Sequence, residues 1–137
     1  MLYLIKQYGK NTTYLKIGYT QNLQERLKAY NTHNAEFELV CSMEGDQELE
    51  TFAHKLLLEY NIKGEWFKED PMVYYVWELT KQEYDIRKQE SDIKKQEDKI
   101  RGQEEAIKEL KNSFKELSKD LLYYKEKYEE LKAKLEN

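Results

Sequence analysis

Leu2-Tyr3-Leu4-Ile5-Lys6-Gln7, then Tyr8-Gly9-Lys10-Asn11-Thr12-Thr13, then Tyr14-Leu15-Lys16-Ile17-Gly18-Tyr19 reads as strand, turn and strand. The flanking runs are rich in the aliphatic and aromatic residues that suit a pleated surface, and the link is dense in turn formers. A β-hairpin is therefore the expected start of the fold.

Working outward, Thr20 or Asn22 can cap a helix in which Leu23, Leu27 and Tyr30 recur at i, i+4 and i+7. Glu36–Met43 reads as a third strand, ended by Gly45-Asp46. Asp46 also suits the cap of a second helix, whose apolar stripe is Leu49, Phe52, Leu56, Leu57 and Tyr60. Gly64–Phe67 reads as a short final strand. The order β-β-α-β-α-β over residues 1–70 predicts an α+β protein whose head is a small α/β sandwich.

Asp70-Pro71 marks a junction, because Asp caps helices well and Pro is tolerated at the first helical position. Met72-Val73-Tyr74-Tyr75-Val76-Trp77 is apolar all round, as expected for a segment (residues 71–80) packed on the head. Residues 81–137 then repeat with a period of seven. Ile86, Ile93, Ile100, Ile107, Phe114, Leu121, Tyr128 and Leu135 fall at a, while Gln82, Gln89, Gln96, Gln103, Leu110, Leu117, Tyr124 and Leu131 fall at d. Heptads sustained this long predict one coiled-coil oligomerisation helix, about 80 Å in length at 1.5 Å per residue. Its seam is formed by Ile86, Ile93, Ile100, Ile107, Leu110, Leu117, Leu121 and Leu131.

Charge decides its orientation. A parallel pair sets Gln on Gln four times and brings Asp85 to Glu90, Asp92 to Glu97 and Lys127 to Lys132, which repel. Against these, Lys99–Glu104 and Asp120–Lys125 attract, so its flanks sum to about zero or worse. An antiparallel pair centred between Lys108 and Glu109 sets Gln82 on Leu135, Gln89 on Tyr128, Gln96 on Leu121 and Gln103 on Phe114. Its flanks become Glu83–Lys132, Glu90–Lys125, Glu104–Lys111, Asp85–Lys134, Asp92–Lys127 and Lys99–Asp120, all opposite in sign. Each such exposed pair contributes only a few tenths of a kcal/mol, but together they select one orientation. An antiparallel homodimer is the expectation, with a parallel trimer or dimer as runner-up.

Composition limits the function. The chain has 137 residues, 36% of them charged and 39% hydrophobic, with one Pro and five Gly. That suits one compact domain with a long polar helix. The single cysteine, Cys41, cannot form an internal disulfide and reads as a buried, reduced thiol in the cytosol. Neither a membrane span nor a signal peptide is visible. Residues 1–80 hold 8 Lys and Arg against 12 Asp and Glu, whereas residues 81–137 hold 15 of each. The head is thus the acidic part, with few cations for neutralising phosphates.

Within the head, short motifs occur in a fixed order: Tyr3-Leu4-Ile5, Lys16-Ile17-Gly18-Tyr19-Thr20, Arg26, Glu50-x-x-x-His54 and Gly64-Glu65-Trp66-Phe67. Together they resemble the GIY-YIG nuclease superfamily, most closely its phage and large-DNA-virus branch. The resemblance covers residues 1–70. It implies a metal-dependent endonuclease, a hydrolase acting on DNA with Mg²⁺ or Mn²⁺. It also assigns roles. Tyr3 matches the first-strand tyrosine, Gly18 the glycine of close strand approach, Arg26 the phosphate-binding arginine and Glu50 the metal-binding glutamate. Lys16, Tyr19 and His54 join Tyr3 and Arg26 as catalytic candidates, and Lys16, Arg26 and Lys28 are the nucleic-acid-binding candidates. His54 lies four residues after Glu50 and so shares its helix face. Zinc is excluded, since two His and one Cys, widely separated, match no zinc spacing.

The pattern also departs from that superfamily. No glycine leads the first motif, Lys16 stands where a tyrosine is usual, and Asn61 is a weak counterpart of the late asparagine. The general base is thereby left unassigned. A structural role stays open for each candidate: Tyr3 as core, Arg26 and Glu50 as solvated helix residues, His54 as a satisfied histidine, and Trp66 and Phe67 as core plugs. Glu65 is open to facing the site, and Lys16 to covering the hairpin. The alternative function is a non-catalytic module that binds nucleic acid or a nucleotide.

Overall fold

The computed structural model describes residues 1–33 and 36–137. They fall into two units, Met1–Gln89 and Glu90–Asn137. In the first, strands β1 (Leu2–Tyr8), β2 (Thr13–Tyr19), β3 (Phe37–Met43), β4 (Asn61–Lys63) and β5 (Trp66–Lys68) form one antiparallel sheet in the order β3-β1-β2-β5-β4. Helix α1 (Leu23–His33) follows β2 and helix α2 (Gln47–Leu56) follows β3. Helix α3 (Pro71–Glu136) begins after β5 and continues into the second unit. The fold is α+β with a long C-terminal helix, as the sequence predicts.

The hairpin forms in the expected register, with Leu2 opposite Tyr19 and Leu4 opposite Ile17. Strand alternation divides β1 between two faces. Leu2 and Leu4 join Leu15, Ile17, Leu49, Ala53, Leu57, Phe67, Val73, Val76 and Trp77 in a core built by the sheet, α2 and the start of α3. Tyr3 and Ile5, equally buried, point to the other face, where Tyr3 meets Tyr30 of α1 edge-on at 6.4 Å between ring centroids. Both faces of β1 are therefore covered, which is why its sequence reads as a continuous apolar run and not as an alternation.

Each helix starts on a capping residue that the sequence offers, and of Thr20 and Asn22 it is Asn22 that caps α1. Asn22 Oδ1 accepts from the Glu25 amide at 3.2 Å, Asp46 Oδ1 from Leu49 at 2.9 Å, and Asp70 Oδ1 from Met72 at 2.8 Å. A cap of this kind is worth about 1 kcal/mol. The start of α3 is fixed further by Glu69, which accepts from Lys6 Nζ at 2.7 Å and from the Tyr74 hydroxyl at 2.9 Å. The hydrogen bond from Lys6 comes first in holding the Glu69 carboxyl below its ordinary value. Farther along, Tyr84 donates to Glu44, and Arg87 bridges Glu83 and Glu48.

Four details differ from the sequence reading. The sheet has a fifth strand, β4, too short to show any periodicity, and Gly64 belongs to the β4–β5 turn with φ of +60°. Helix α2 sends Leu49 and Ala53 into the core, joined by its C-cap Leu57 just past the helix end, while Leu56, its last residue, is exposed. The start of α3 buries one face only: Val73, Val76, Trp77 and Thr80 go inward, and Met72 and Tyr75 are exposed. Cys41 is half-buried, with its thiol pushed up by desolvation.

The second unit is helix alone. Ile93, Ile100, Ile107, Leu110, Leu117, Leu121 and Leu131 each stay at least half exposed on the single chain, as does Ile86 in the first unit. Two of the expected interhelical partners close intrahelical pairs here, Asp92 with Lys95 and Lys127 with Glu130. Such pairs are worth little and exchange readily. Among the described residues no helix is long and apolar enough to cross a membrane.

Candidate functional site

The site grows from the end of β2. Strand β5 pairs with β2 only over Tyr14, Leu15 and Lys16. Beyond Lys16, Ile17 and Tyr19 therefore turn backbone groups toward an edge that has no strand on it. Such groups need partners when buried. Helix α2 supplies both: Glu50 Oε1 accepts from the Tyr19 amide at 2.9 Å, and His54 Nε2 lies 2.7 Å from the Ile17 carbonyl oxygen. The match is metric. Four residues of helix rise about 6 Å and two residues of strand about 6.7 Å. A Glu-x-x-x-His helix thus staples itself along an open strand edge.

The partners set the chemistry of each side chain. A carbonyl only accepts, so His54 donates from Nε2 and keeps Nδ1 for any other role. Its ring also packs 5.5 Å from that of Phe67. Glu50 keeps Oε2, which makes no hydrogen bond among the described residues. Among those residues no group of three His, Cys, Asp or Glu forms a ready metal cage. The donor set fits only the open mode, in which one carboxylate shares a hard cation with water and substrate oxygens.

Gly18 shows its necessity directly. It pairs with Tyr3 across the hairpin, and a Cβ built on it would stand 2.5 Å from Tyr3 Cζ. The Tyr3 ring crosses the strand through that gap and brings its hydroxyl to 3.3 Å from the Tyr30 hydroxyl. Burial first, then the Tyr30 hydrogen bond, push the Tyr3 hydroxyl well above its ordinary value, while the Arg26 charge opposes them. Tyr3 stays protonated at neutral pH and positions Tyr30.

Helix α1 presents a stripe to an open groove. One hollow of about 540 Å³ is lined by Tyr19, Thr20, Gln21, Asn22, Glu25, Arg26 and Ala29. A second, of about 290 Å³, is lined by Arg26, Ala29, Tyr30, His33 and Trp66. Arg26 and Ala29 border both. Arg26 is exposed and has no ion-pair partner among the described residues. Lys16 differs: its ammonium pairs with Glu65 and sits 5.6 Å and 5.7 Å from the Tyr30 and Trp66 ring centroids. Burial pulls the Lys16 ammonium down, but the interactions with Glu65 and Tyr30 outweigh it and hold the group above its ordinary value.

The structure therefore gathers Tyr19, Arg26 and Tyr30 at the groove, with Glu50 one hydrogen bond behind Tyr19 and Lys16 beneath the aromatic rings. Lys28 is not brought in, since two residues of helix turn it about 200° away from Arg26. The sequence reading gives Tyr30, His33 and Trp66 no role in the site. A signal exists for the first two, because Arg26, Tyr30 and His33 recur at i, i+4 and i+7 on one face.

The sequence profile of the T5orf172 domain matches residues 1–82, which hold the whole sheet, α1, α2 and the start of α3. The chain belongs to the T5orf172 domain family. A relative of this T5orf172 chain is the putative KilA-N domain-containing protein 315L of Invertebrate iridescent virus 6, 36% identical over 59 residues. The match covers 39% of this chain and 25% of that protein, so the chain spans about a quarter of its relative. No solved structure matches. The family found is the T5orf172 domain; the wider GIY-YIG likeness rests on the motifs alone.

Proposed function

We propose that this T5orf172 head binds nucleic acid, DNA foremost, along the α1 groove and hydrolyses a phosphodiester there in the manner of GIY-YIG nucleases. The observation that carries this reading is Arg26: an exposed guanidinium, free of any ion pair among the described residues, at the meeting point of two hollows. Its planar fork suits a phosphate. Tyr19 lines the same groove, and its amide fixes Glu50. Glu50 Oε2 would hold one Mg²⁺ or Mn²⁺. Such an ion supplies a water of lowered pKa and charge stabilisation on the phosphoryl oxygens. His54 keeps α2, and so Glu50, in place. The relative's viral origin supports a viral or phage setting.

One observation favours a second reading, binding without cleavage. The Tyr3 hydroxyl is buried against Tyr30 and raised, so it is not available as a general base near neutral pH. Incubation of the full chain with supercoiled and single-stranded DNA in Mg²⁺ or Mn²⁺ decides between them. Cleavage that disappears in Glu50→Gln is the expected result. Glutamine keeps an oxygen for the Tyr19 amide, so the variant retains its fold while losing the charge a cation needs. Cleavage by the Gln variant at the parental rate would move the metal away from Glu50, and binding without cleavage in either metal would establish the second reading.

We further propose that the exposed α3 seam pairs with a second copy in antiparallel order, the six oppositely charged flanks selecting that orientation. Two heads on one dimer gain apparent affinity through effective concentration even where each binds weakly. Spin labels at residue 137 are expected to lie far apart in the dimer. Close 137–137′ distances would establish a parallel assembly instead.

A further inference from the structure

Trp66 is the half of the Trp66-Phe67 pair that the core does not take. Phe67 is buried, and strand alternation turns Trp66 to the other face, where it remains partly exposed. A solitary half-exposed aromatic residue is ordinary on a protein surface. This one stands between two hollows. On one side lies the hollow with Arg26, Ala29, Tyr30 and His33. On the other is a hollow of about 220 Å³ lined by Gln7, Tyr14, Ile62 and Lys63 as well as Trp66. Each side therefore offers an aromatic neighbour, Tyr30 or Tyr14, and a cation, Arg26 or Lys63. The Lys16–Glu65 pair braces the indole from within, its ammonium 5.7 Å from the ring centroid.

An aromatic side chain flanked by cations is the arrangement that holds single-stranded nucleic acid. Every base offers a π-face for stacking, and the cations follow the backbone. Bases in a duplex are already stacked and paired, and they reach such a ring only by being pulled out, at a cost of a few kcal/mol. We propose that Trp66 is a stacking platform for an unpaired base, with Arg26 and Lys63 taking the phosphates on either side, so that the groove selects single-stranded over fully paired nucleic acid. This inference rests on the nucleic-acid reading of the groove and names its substrate class. Trp66 then fixes the strand relative to Arg26 and Glu50, which places the phosphate to be bound at a set distance from the unpaired base.

Intrinsic fluorescence tests it in the full chain, because Trp77, the other tryptophan, is 2% exposed and screened from ligand. Labelled strands of about twelve nucleotides are used, long enough for the site sizes typical of such grooves. One is single, one is its blunt duplex, and one is single with abasic positions throughout. The single strand is expected to quench emission and the duplex and abasic strand to quench it far less. Trp66→Ala is expected to weaken single-strand binding, followed by anisotropy, about ten-fold, within the range for losing one stacked base. Trp66→Phe should recover part of that loss, and duplex affinity should stay within about two-fold. Equal losses for single strand and duplex would overturn the proposal, as would binding of the single strand without any quenching. Failure of every strand to bind the unaltered chain would instead overturn the nucleic-acid reading beneath it.

Discussion

Gly18→Ala is expected to destabilise the head by about 3 kcal/mol, at the upper end of the cost of forcing a carbon into a packed interior. The new methyl group would stand 2.5 Å from Cζ of Tyr3, a distance that heavy atoms do not tolerate. Little can give way. Gly18 is held in the hairpin register opposite Tyr3, and the Tyr3 ring is 1% exposed and tethered through its hydroxyl to Tyr30. Backbone strain is not the cause, because Gly18 has no positive φ among the described residues. Chemical denaturation of Gly18→Ala, Tyr3→Leu and the double variant isolates the contact. Leucine shortens the side chain and leaves room for the methyl, so the double variant should be more stable than the two single losses predict by addition. A coupling of roughly 2 kcal/mol is the expected size for residues in direct contact. Strict additivity would show that Gly18 is required for some reason other than the crossing of Tyr3.

That contact also marks how far the sequence speaks for itself. The hairpin, the caps Asp46 and Asp70 and the Asp70-Pro71 junction are local features, decided by residues a few positions apart and legible before any coordinates, whereas the cap of α1 is legible only as Thr20 or Asn22. The heptad repeat is legible for the same reason. The Glu50–His54 spacing likewise places both side chains on one helix face, and both do face β2. What the spacing cannot say is that β5 stops at Lys16 and leaves the edge of β2 open. That depends on a three-residue strand whose length no periodicity encodes. The pair thus has a structural task, satisfying Tyr19 and Ile17, alongside the chemical one that the motif implies.

The site residues divide in the same way. Arg26 is found from its motif, but in the sequence Tyr30 reads only as part of an apolar stripe. Its partner, Tyr3, approaches from another element through the gap at Gly18, a contact between residues 27 positions apart. Lys16 shows the converse. Counted by formal charge it is a cation in an acidic head, yet its pairing with Glu65 removes it from the supply available to a phosphate. The acidity of the head is therefore less informative than the position of its unpaired cations. A single guanidinium in a groove binds one phosphate whatever the net charge elsewhere, because screening confines exposed charges to about 8 Å at physiological salt.

Arg26→Ala should therefore lower DNA cleavage by about 10²- to 10³-fold, the range for removing one group that stabilises charge developing at the reacting centre. The side chain is exposed and makes no ion pair among the described residues, so the thermal midpoint of the variant should match the parent. A loss of activity without a loss of stability separates a chemical role from a structural one. Arg26→Lys should recover only part of the rate, since an ammonium keeps the charge but not the planar fork. Lys28→Ala is the internal comparison. It removes the same formal charge from the same helix, about 200° round from Arg26 and outside both hollows. Its effect should stay within a few-fold and vanish as salt rises. Binding measured against salt concentration adds a second readout, in which Arg26→Ala shallows the slope by about one phosphate contact. Equal effects of Arg26→Ala and Lys28→Ala would reduce both residues to general surface charge and remove the α1 groove from the reaction. A chain that binds through Arg26 and never cleaves would keep the groove and place the head among binding modules.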